Sequence, residues 1–331
     1  MYEHDFPCFL DSKDGAMDHG HGLWYIKVHK TASTTMANVV ENIAATHGDG
    51  ETPCFNRRHH IPAYESRGLD NHVKNSPKSF LLSIVRDPSS RAISDYMYSS
   101  VTMKGKIGAQ YIKGCCRNQF ELQGLSGYQA GFMAPGEKLP EYTFWDPKSP
   151  EYIQNPKQLL AQLEGLFDKY DFIGASEKLN ESLVILSFSL NLKLTDIAYQ
   201  TFRNSANEYI QGGGLQNQNQ CFKNVSKEVG VTPDVVEFMN SKEWKARSAG
   251  DKLLHEAVLK ALDNTIDNVI GREKFQTRLD QFNKLQDSLA VCEKDCEVCS
   301  PEGEFRDMST DQACSACNDR VLAAWNKKHS D

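Results

Sequence analysis

Residues Leu23–Thr35 read LWYIKVHKTASTT. Leu23–Val28 is a short apolar run and His29–Thr35 is a polar turn; Met36, Val39, Val40, Ile43 and Ala44 then recur at three- and four-residue intervals. Apolar residues at that spacing line one face of a helix. The unit is therefore strand, turn, helix. A second unit of the same kind follows. Phe80–Val85 (FLLSIV) is a continuous apolar run, as suits a strand buried on both faces of a parallel sheet. Asp87-Pro88 opens the next helix, with proline at a position where its missing N–H costs nothing. A helix near Pro156–Phe167, a strand at Tyr170–Ala175 and a helix near Leu179–Leu190 continue the pattern. Strands alternating with helices predict an α/β fold, a mostly parallel central sheet flanked by helices.

Between these units the chain is less regular. Gly105–Pro150 is rich in Gly, Pro and aromatic residues without clear periodicity, and reads as a long excursion with short helices. Gln211–Gln220 (QGGGLQNQNQ) reads as a flexible polar loop, with two helices after it. The second is long: Leu254, Val258, Ala261, Leu262, Ile266 and Val269 trace one stripe. Phe275, Leu279, Phe282, Leu285 and Leu289 continue it after Gly271. The chain divides into an N-terminal extension (1–22), a main domain (23–290) and a Cys-rich C-terminal extension (291–331).

The 331 residues are 40% hydrophobic, enough for a sizeable core, which excludes a mainly disordered chain. A net charge of −7 argues against a nucleic-acid partner but leaves room for a local basic pocket. No run of about 18 apolar residues exists, so no membrane span is expected. Residues 1–22 lack the basic and apolar regions of a signal peptide. The expectation is a chain soluble where it is made, cytoplasmic if this N-terminus is native, or one whose targeting segment lies outside the sequence.

Five of the ten cysteines crowd into the tail, Cys292, Cys296, Cys299, Cys314 and Cys317, spaced C-x3-C-x2-C-x14-C-x2-C. Two C-x-x-C pairs can make a tetrahedral zinc site with one cysteine left over. Disulfides explain the five better if the compartment is oxidising, and free thiols are the remaining alternative. Cys115 and Cys116 are adjacent and are expected to reach distant partners. Asn180-Glu181-Ser182 and Asn224-Val225-Ser226 are glycosylation sequons.

Two segments carry chemistry. His29-Lys30-Thr31-Ala32-Ser33-Thr34-Thr35 lies between a strand and a helix, where free backbone N–H groups and the helix dipole favour an anion. Lys30 adds a point charge, and Ser33, Thr34 and Thr35 add hydroxyl donors. The nucleotide loop G-x-x-x-x-G-K-[ST] is not present, because this segment has no glycine. A Ser/Thr-rich helix cap is the plainer alternative. In the second segment, Arg86-Asp87-Pro88-Ser89-Ser90-Arg91-Ala92-Ile93-Ser94, Arg86 ends a strand and Ser94 lies about two turns into a helix. The pair could hold a second phosphate, with Arg86 binding it bidentately, or be a surface Arg–Asp pair plus an ordinary helix serine.

Together, a strand, a K-T-x-S-T-T turn and a second strand ending R-D-P-x-x-R-x-x-S resemble the sulfotransferase superfamily. The resemblance implies a P-loop-like sulfotransferase fold and 3′-phosphoadenosine 5′-phosphosulfate (PAPS) as the sulfuryl donor, with no metal required. It assigns the 5′-phosphosulfate to Lys30, Thr31, Ala32, Ser33, Thr34 and Thr35, and the 3′-phosphate to Arg86 and Ser94. Tyr25–Thr35 (YIKVHKTASTT) is similar to the F-x-K-T-H-K-T-x-S-[ST]-T segment of galactose-3-O-sulfotransferases. Arg117–Gly124 (RNQFELQG) resembles that family's R-N-x-x-F-D-L-G, with Glu121 for Asp and Gln123 extra; Tyr170–Leu186 is similar to its F-D-x-V-x-x-x-E-x-F-D-E-S-L-V-L-L; and Asp196–Ala206 resembles D-V-L-Y-F-K-L-N-A-R loosely. The resemblance runs from Leu23 to Leu289 and leaves out the Cys-rich tail. The heparan and uronyl 2-O-sulfotransferases share the K-T-A-S-T loop and are next nearest.

By this resemblance Lys30 neutralises charge on the bridging and leaving oxygens. A general base comes from the segment between the two phosphate loops, where Arg57-Arg58-His59-His60 stands. His60 is first choice, His59 second and Glu65 third; a histidine titrates near the working pH. Arg203, Asn204 and Ser205 fall where relatives carry a further cofactor contact. Arg57, Arg58, Lys104, Lys106 and Lys113 could line an acceptor groove or be solvated charges, and Tyr142 and Trp145 could stack on a sugar or pack against the core. The implied acceptor is a hydroxyl of a glycan or glycolipid, galactose 3-OH first. A uronic acid 2-OH, a small-molecule acceptor, or a non-catalytic binding protein on the same fold are the alternatives. A kinase is disfavoured, since Walker glycines are absent. The cysteines and sequons point to the secretory pathway, most simply the Golgi lumen.

Overall fold

Strand β1 (Gly22–Ile26) is buried along its whole length and has a neighbour on each edge. The structure is a computed structural model that describes residues 22–47, 55–56, 72–76, 79–115, 128–133, 156–200, 209–211, 220–296, 299, 305 and 312–329. β2 (Phe55–Asn56) pairs with one edge of β1, β3 (Ser79–Val85) with the other, and β4 (Phe172–Ala175) continues the sheet beyond β3. All three pairings are parallel, with Ile26 opposite Ser83 and Val85 opposite Ala175. The Ser83 hydroxyl donates to the Ile26 carbonyl at 2.8 Å, fixing β1 to β3 inside the core. A separate antiparallel pair joins β5 (Tyr209–Gln211) and β6 (Cys221–Lys223).

Twelve α-helices are described, α1 (Ser33–His47), α2 (Pro88–Tyr96), α3 (Ala109–Cys115), α4 (Tyr128–Met133), α5 (Pro156–Lys169), α6 (Leu179–Ser189), α7 (Lys227–Gly230), α8 (Pro233–Asn240), α9 (Lys242–Arg247), α10 (Ala249–Thr265), α11 (Arg272–Leu289) and α12 (Gln312–Lys328). The expected α/β architecture is present. α1 buries Met36, Val39, Val40, Ile43 and Ala44, the stripe visible in the sequence. α2 starts as its sequence dictates: the Asp87 carboxylate accepts from the Ser90 N–H, and Pro88 occupies the first turn. Gly174 lets α6 close on β4. A Cβ there would lie 2.6 Å from Ile84 Cδ1 and 2.9 Å from Ser182 Cβ.

The C-terminal half departs from the sequence reading in two places. Three short helices, α7 to α9, precede the long one, because Pro233 and the capping Ser241 each start a new helix. Along α10 the buried stripe is Leu254, Val258, Leu262 and Ile266, but Ala261 is exposed and Val269 is 78% exposed. The segment Ile266–Ile270 is π-helical. Its wider turn rotates Val269 off the stripe. Gly271, at φ 89°, then ends the helix, and α11 starts afresh, burying Phe275, Phe282, Leu285 and Leu289. One core runs from Leu23 to Leu289.

The tail is stapled. Disulfides Cys292–Cys317 and Cys296–Cys314 hold α12 to the turn after α11, and Cys221–Cys299 joins the tail to β6. All five tail cysteines are thus in disulfides, in place of the zinc site or free thiols that the spacing also allowed. The odd one pairs with a cysteine 78 residues away. Among the described residues no helix is long and apolar enough to cross a membrane.

Candidate active site

The order β2-β1-β3-β4 means that the chain turns back between β1 and β3. In open parallel sheets ligands bind outside the carboxyl ends of the strands at such a reversal. The loop after β1 carries Lys30, and the loop after β3 carries Arg86.

In the first loop Lys30 and Ala32 both have left-handed backbones, at φ 62° and 58°. That conformation costs an L-residue roughly 1–2 kcal/mol, and most phosphate loops place glycine there. Alternating handedness is a backbone form that can turn successive N–H groups toward an anion, and α1 begins at Ser33 just behind the loop. The loop thus holds two left-handed residues without using glycine at either. Thr31 is fully buried and its hydroxyl donates to the Val28 carbonyl at 3.0 Å, so its side chain anchors the loop. Ser33 is buried, whereas Thr34 and Thr35 are half-buried in the first turn of α1. The Lys30 ammonium lies over the Tyr98 ring, 3.5 Å from its centroid.

Arg86 is tied to the first loop: its Nη1 donates to the Lys30 carbonyl at 3.2 Å. Its Nε lies 3.8 Å from Glu177, at the carboxyl end of β4. Burial lowers the Arg86 pKa, and Glu177 and Asp87 oppose that shift while Arg91 adds to it. Glu177 is itself multiply bonded, accepting the Asp87 N–H at 2.9 Å and facing His255 Nε2 at 3.2 Å. Burial pushes its carboxyl upward, but the hydrogen bonds from His255 and the Asp87 N–H outweigh this and hold its pKa at about 2. Ser94 is half-buried on α2, two turns beyond Arg86.

Several residues of this neighbourhood escaped the sequence reading. Gln129 on α4, fully buried, accepts from the Arg86 N–H at 2.8 Å and donates to the Arg86 carbonyl at 2.7 Å. Its side chain thus pairs with Arg86 as a neighbouring strand would. Asp251 on α10, also buried, accepts the N–H groups of Gln129 and Ala130 at 2.8 and 3.0 Å. At the other end of α4, the Tyr170 hydroxyl donates to the Met133 carbonyl at 2.8 Å. Phe132 on the same helix sets its ring edge-on to His29, with centroids 5.9 Å apart. Six-residue α4 thus braces both loops. Tyr98 and His255 complete the set; of all these contacts, only Glu177 had a signal, its place just after a strand.

Other expected residues fall elsewhere. His59, His60, Glu65, Arg57, Arg58, Arg203, Asn204, Ser205, Tyr142, Trp145 and the Arg117–Gly124 segment lie outside the described residues. Lys104, Lys106 and Lys113 are exposed, the last two near the rings of Tyr111 and Phe238. Asn180 is built into α6, donating to Asn283 and accepting from Tyr199, and its sequon partner Ser182 is buried. Asn224 follows β6 and is half-buried.

One cluster imitates a hydrolase site. Ser79 Oγ lies 2.7 Å from His72 Nδ1, and His72 Nε2 lies 3.2 Å from Asp171. Ser79 and His72 are each 2% exposed and sit at the amino edge of the sheet. Asp171 also accepts the N–H groups of Asn75 and Leu81. This is a clasp on the sheet edge, away from the ligand side.

The parallel sheet brings the Lys30 and Arg86 loops together at its topological reversal, the place where open α/β sheets bind their ligands. The chain belongs to the sulfotransferase family, whose pattern matches residues 13–237, and so to the transferases that move a sulfuryl group to an acceptor. No curated protein and no solved structure matches it.

Proposed function

We propose that the chain transfers the sulfuryl group of PAPS to a sugar hydroxyl of a glycan or glycolipid, galactose 3-OH first, within the secretory lumen. The observation that carries this reading is the Arg86–Lys30 bond, which fastens the two cationic loops side by side at the sheet reversal. The donor set fits a nucleotide with phosphates at both ends of its ribose. The left-handed turn and the start of α1 suit the 5′ group, and the guanidinium of Arg86 suits the 3′-phosphate, with Ser94 beside it by resemblance. Arg203 and Ser205 belong to the same site by resemblance. The three disulfides support an oxidising compartment.

PAPS supplies an activated sulfuryl group. The protein's part is positioning and charge stabilisation, as in phosphoryl transfer. Lys30 places its ammonium where negative charge gathers on the leaving oxygen. The base, His60 with His59 and Glu65 as second and third choices, takes the acceptor's hydroxyl proton. The acceptor oxygen forms a bond to sulfur as sulfur's bond to the phosphate oxygen breaks, leaving 3′-phosphoadenosine 5′-phosphate.

Labelled PAPS incubated with galactosides, uronic-acid glycans, glycolipids and small alcohols tests the reading. Label on galactose 3-OH is expected. Transfer to another acceptor alone corrects the acceptor, and transfer to none overturns the reading. His60→Ala is expected to lower turnover about 100-fold or more while the 3′-phosphoadenosine 5′-phosphate affinity stays unchanged.

A further inference from the structure

Lys30 is held at both ends. Arg86 bonds its carbonyl at 3.2 Å, and the face of Tyr98 covers its ammonium at 3.5 Å. Tyr98 stands in the π-helical segment Met97–Thr102 that extends α2. A π turn takes in one residue more than an α turn and re-aims the side chains within it, which is why such turns recur at functional sites. The base of that segment is fixed. The Tyr96 hydroxyl donates to the Gly230 carbonyl at 3.0 Å and accepts the Gly108 N–H at 2.9 Å.

We propose that Tyr98 is a positioning residue for Lys30. Its ring face holds the ammonium ready at the carboxyl edge of the sheet. The proposal rests on the sulfuryl-transfer reading, in which Lys30 faces the leaving oxygen. A lysine side chain has four rotatable bonds, and ordering it at the moment of reaction is costly. A ring that holds it beforehand removes that cost from the barrier. An aromatic face attracts the ammonium through its quadrupole. The ring carries no net charge of its own, so it holds the ammonium without itself neutralising it. The ring, not the hydroxyl, does this, so phenylalanine substitutes for tyrosine and leucine does not.

The test combines kinetics with a measurement on the donor-free protein. Tyr98→Leu is expected to lower kcat about 10-fold and to leave the Kd for 3′-phosphoadenosine 5′-phosphate within about two-fold, while Tyr98→Phe keeps kcat. Phenylalanines carrying one, two and three fluorines at position 98 keep the shape but weaken the quadrupole, so log kcat is expected to fall in step with fluorination. In protein labelled with 13C-lysine, the Lys30 ε-protons, identified by their loss in Lys30→Arg, are expected upfield through the ring current. They are expected to return to the ordinary lysine position in Tyr98→Leu but not in Tyr98→Phe. Unshifted ε-protons in the wild type, or a flat fluorination series in an active enzyme, overturn the role of Tyr98 alone. A wild type that transfers no sulfuryl group from PAPS overturns the functional reading and this role with it.

Discussion

Arg86 donates to the carbonyl oxygen of Lys30, so one cation of the candidate site is part of the scaffold of the other. The bond uses one of five guanidinium donors, which leaves the group able to meet an anion. It also crosses from β3 to β1 at the place where the sheet reverses its order.

Removing Arg86 is therefore expected to weaken the site. Arg86→Ala should weaken 3′-phosphoadenosine 5′-phosphate binding by about 2–3 kcal/mol, roughly 30- to 150-fold, as for loss of a charged hydrogen-bonding partner. Arg86→Lys restores the charge but not the fork and should recover only part. Titration calorimetry measures both; unaltered affinity in Arg86→Ala would remove Arg86 from the donor site.

Gln129 is expected to matter without touching a ligand. Gln129→Ala leaves two backbone groups of Arg86 without their partner, at a cost of about 1–3 kcal/mol in stability. Nucleotide affinity should fall as well, since Arg86 is no longer aimed. Urea unfolding and calorimetry on the one variant check the pair of effects, and normal affinity in a folded Gln129→Ala would show that α4 does not orient Arg86.

The Glu177 carboxyl gives a pH signature. Its pKa in the folded chain is about 2, below the ordinary 4.5. A depressed carboxyl stabilises the fold above the unfolded-state pKa, and that stabilisation fades as pH falls from 4.5 toward 2. The stability gap between wild type and Glu177→Gln should thus be widest above pH 4.5 and shrink through pH 3. Urea midpoints at pH 7, 5 and 3 follow it; a gap that does not change with pH would contradict the assignment.

For the tail, peptide mapping without reductant should recover Cys221–Cys299, Cys292–Cys317 and Cys296–Cys314 as linked pairs. Replacing Cys221 and Cys299 together by serine should cost about 2–4 kcal/mol in stability. Thermal unfolding with and without reductant measures it, and no shift in either experiment would mean the bond does not form.

What the sequence revealed follows from how local each signal is. β1 with α1 and β3 with α2 were legible because apolar runs, helical spacing and Asp87-Pro88 are local codes. The loop residues Lys30 and Arg86 were legible for the same reason, as they follow those strands. Val269 was misplaced because a π turn leaves no mark on a helical stripe. α4 has six residues, too few for a period. Gln129 meets Arg86 across 43 residues and Asp251 meets Gln129 across 122; such pairings exist only once the chain has folded. Cys221 looked unrelated to the tail cysteines until folding set it beside Cys299.

That last disulfide bears on how the protein can be made in the laboratory. Cys221 lies within the stretch matched to the family, which ends at residue 237, and Cys299 lies beyond it. Trimming the gene to the family boundary, or anywhere before Cys299, would leave the Cys221 thiol without its bond and open to cross-linking between molecules. A host with a reducing cytoplasm would do the same to the full chain. Expression into an oxidising compartment, with the tail through Cys317 retained, is the route the covalent structure dictates.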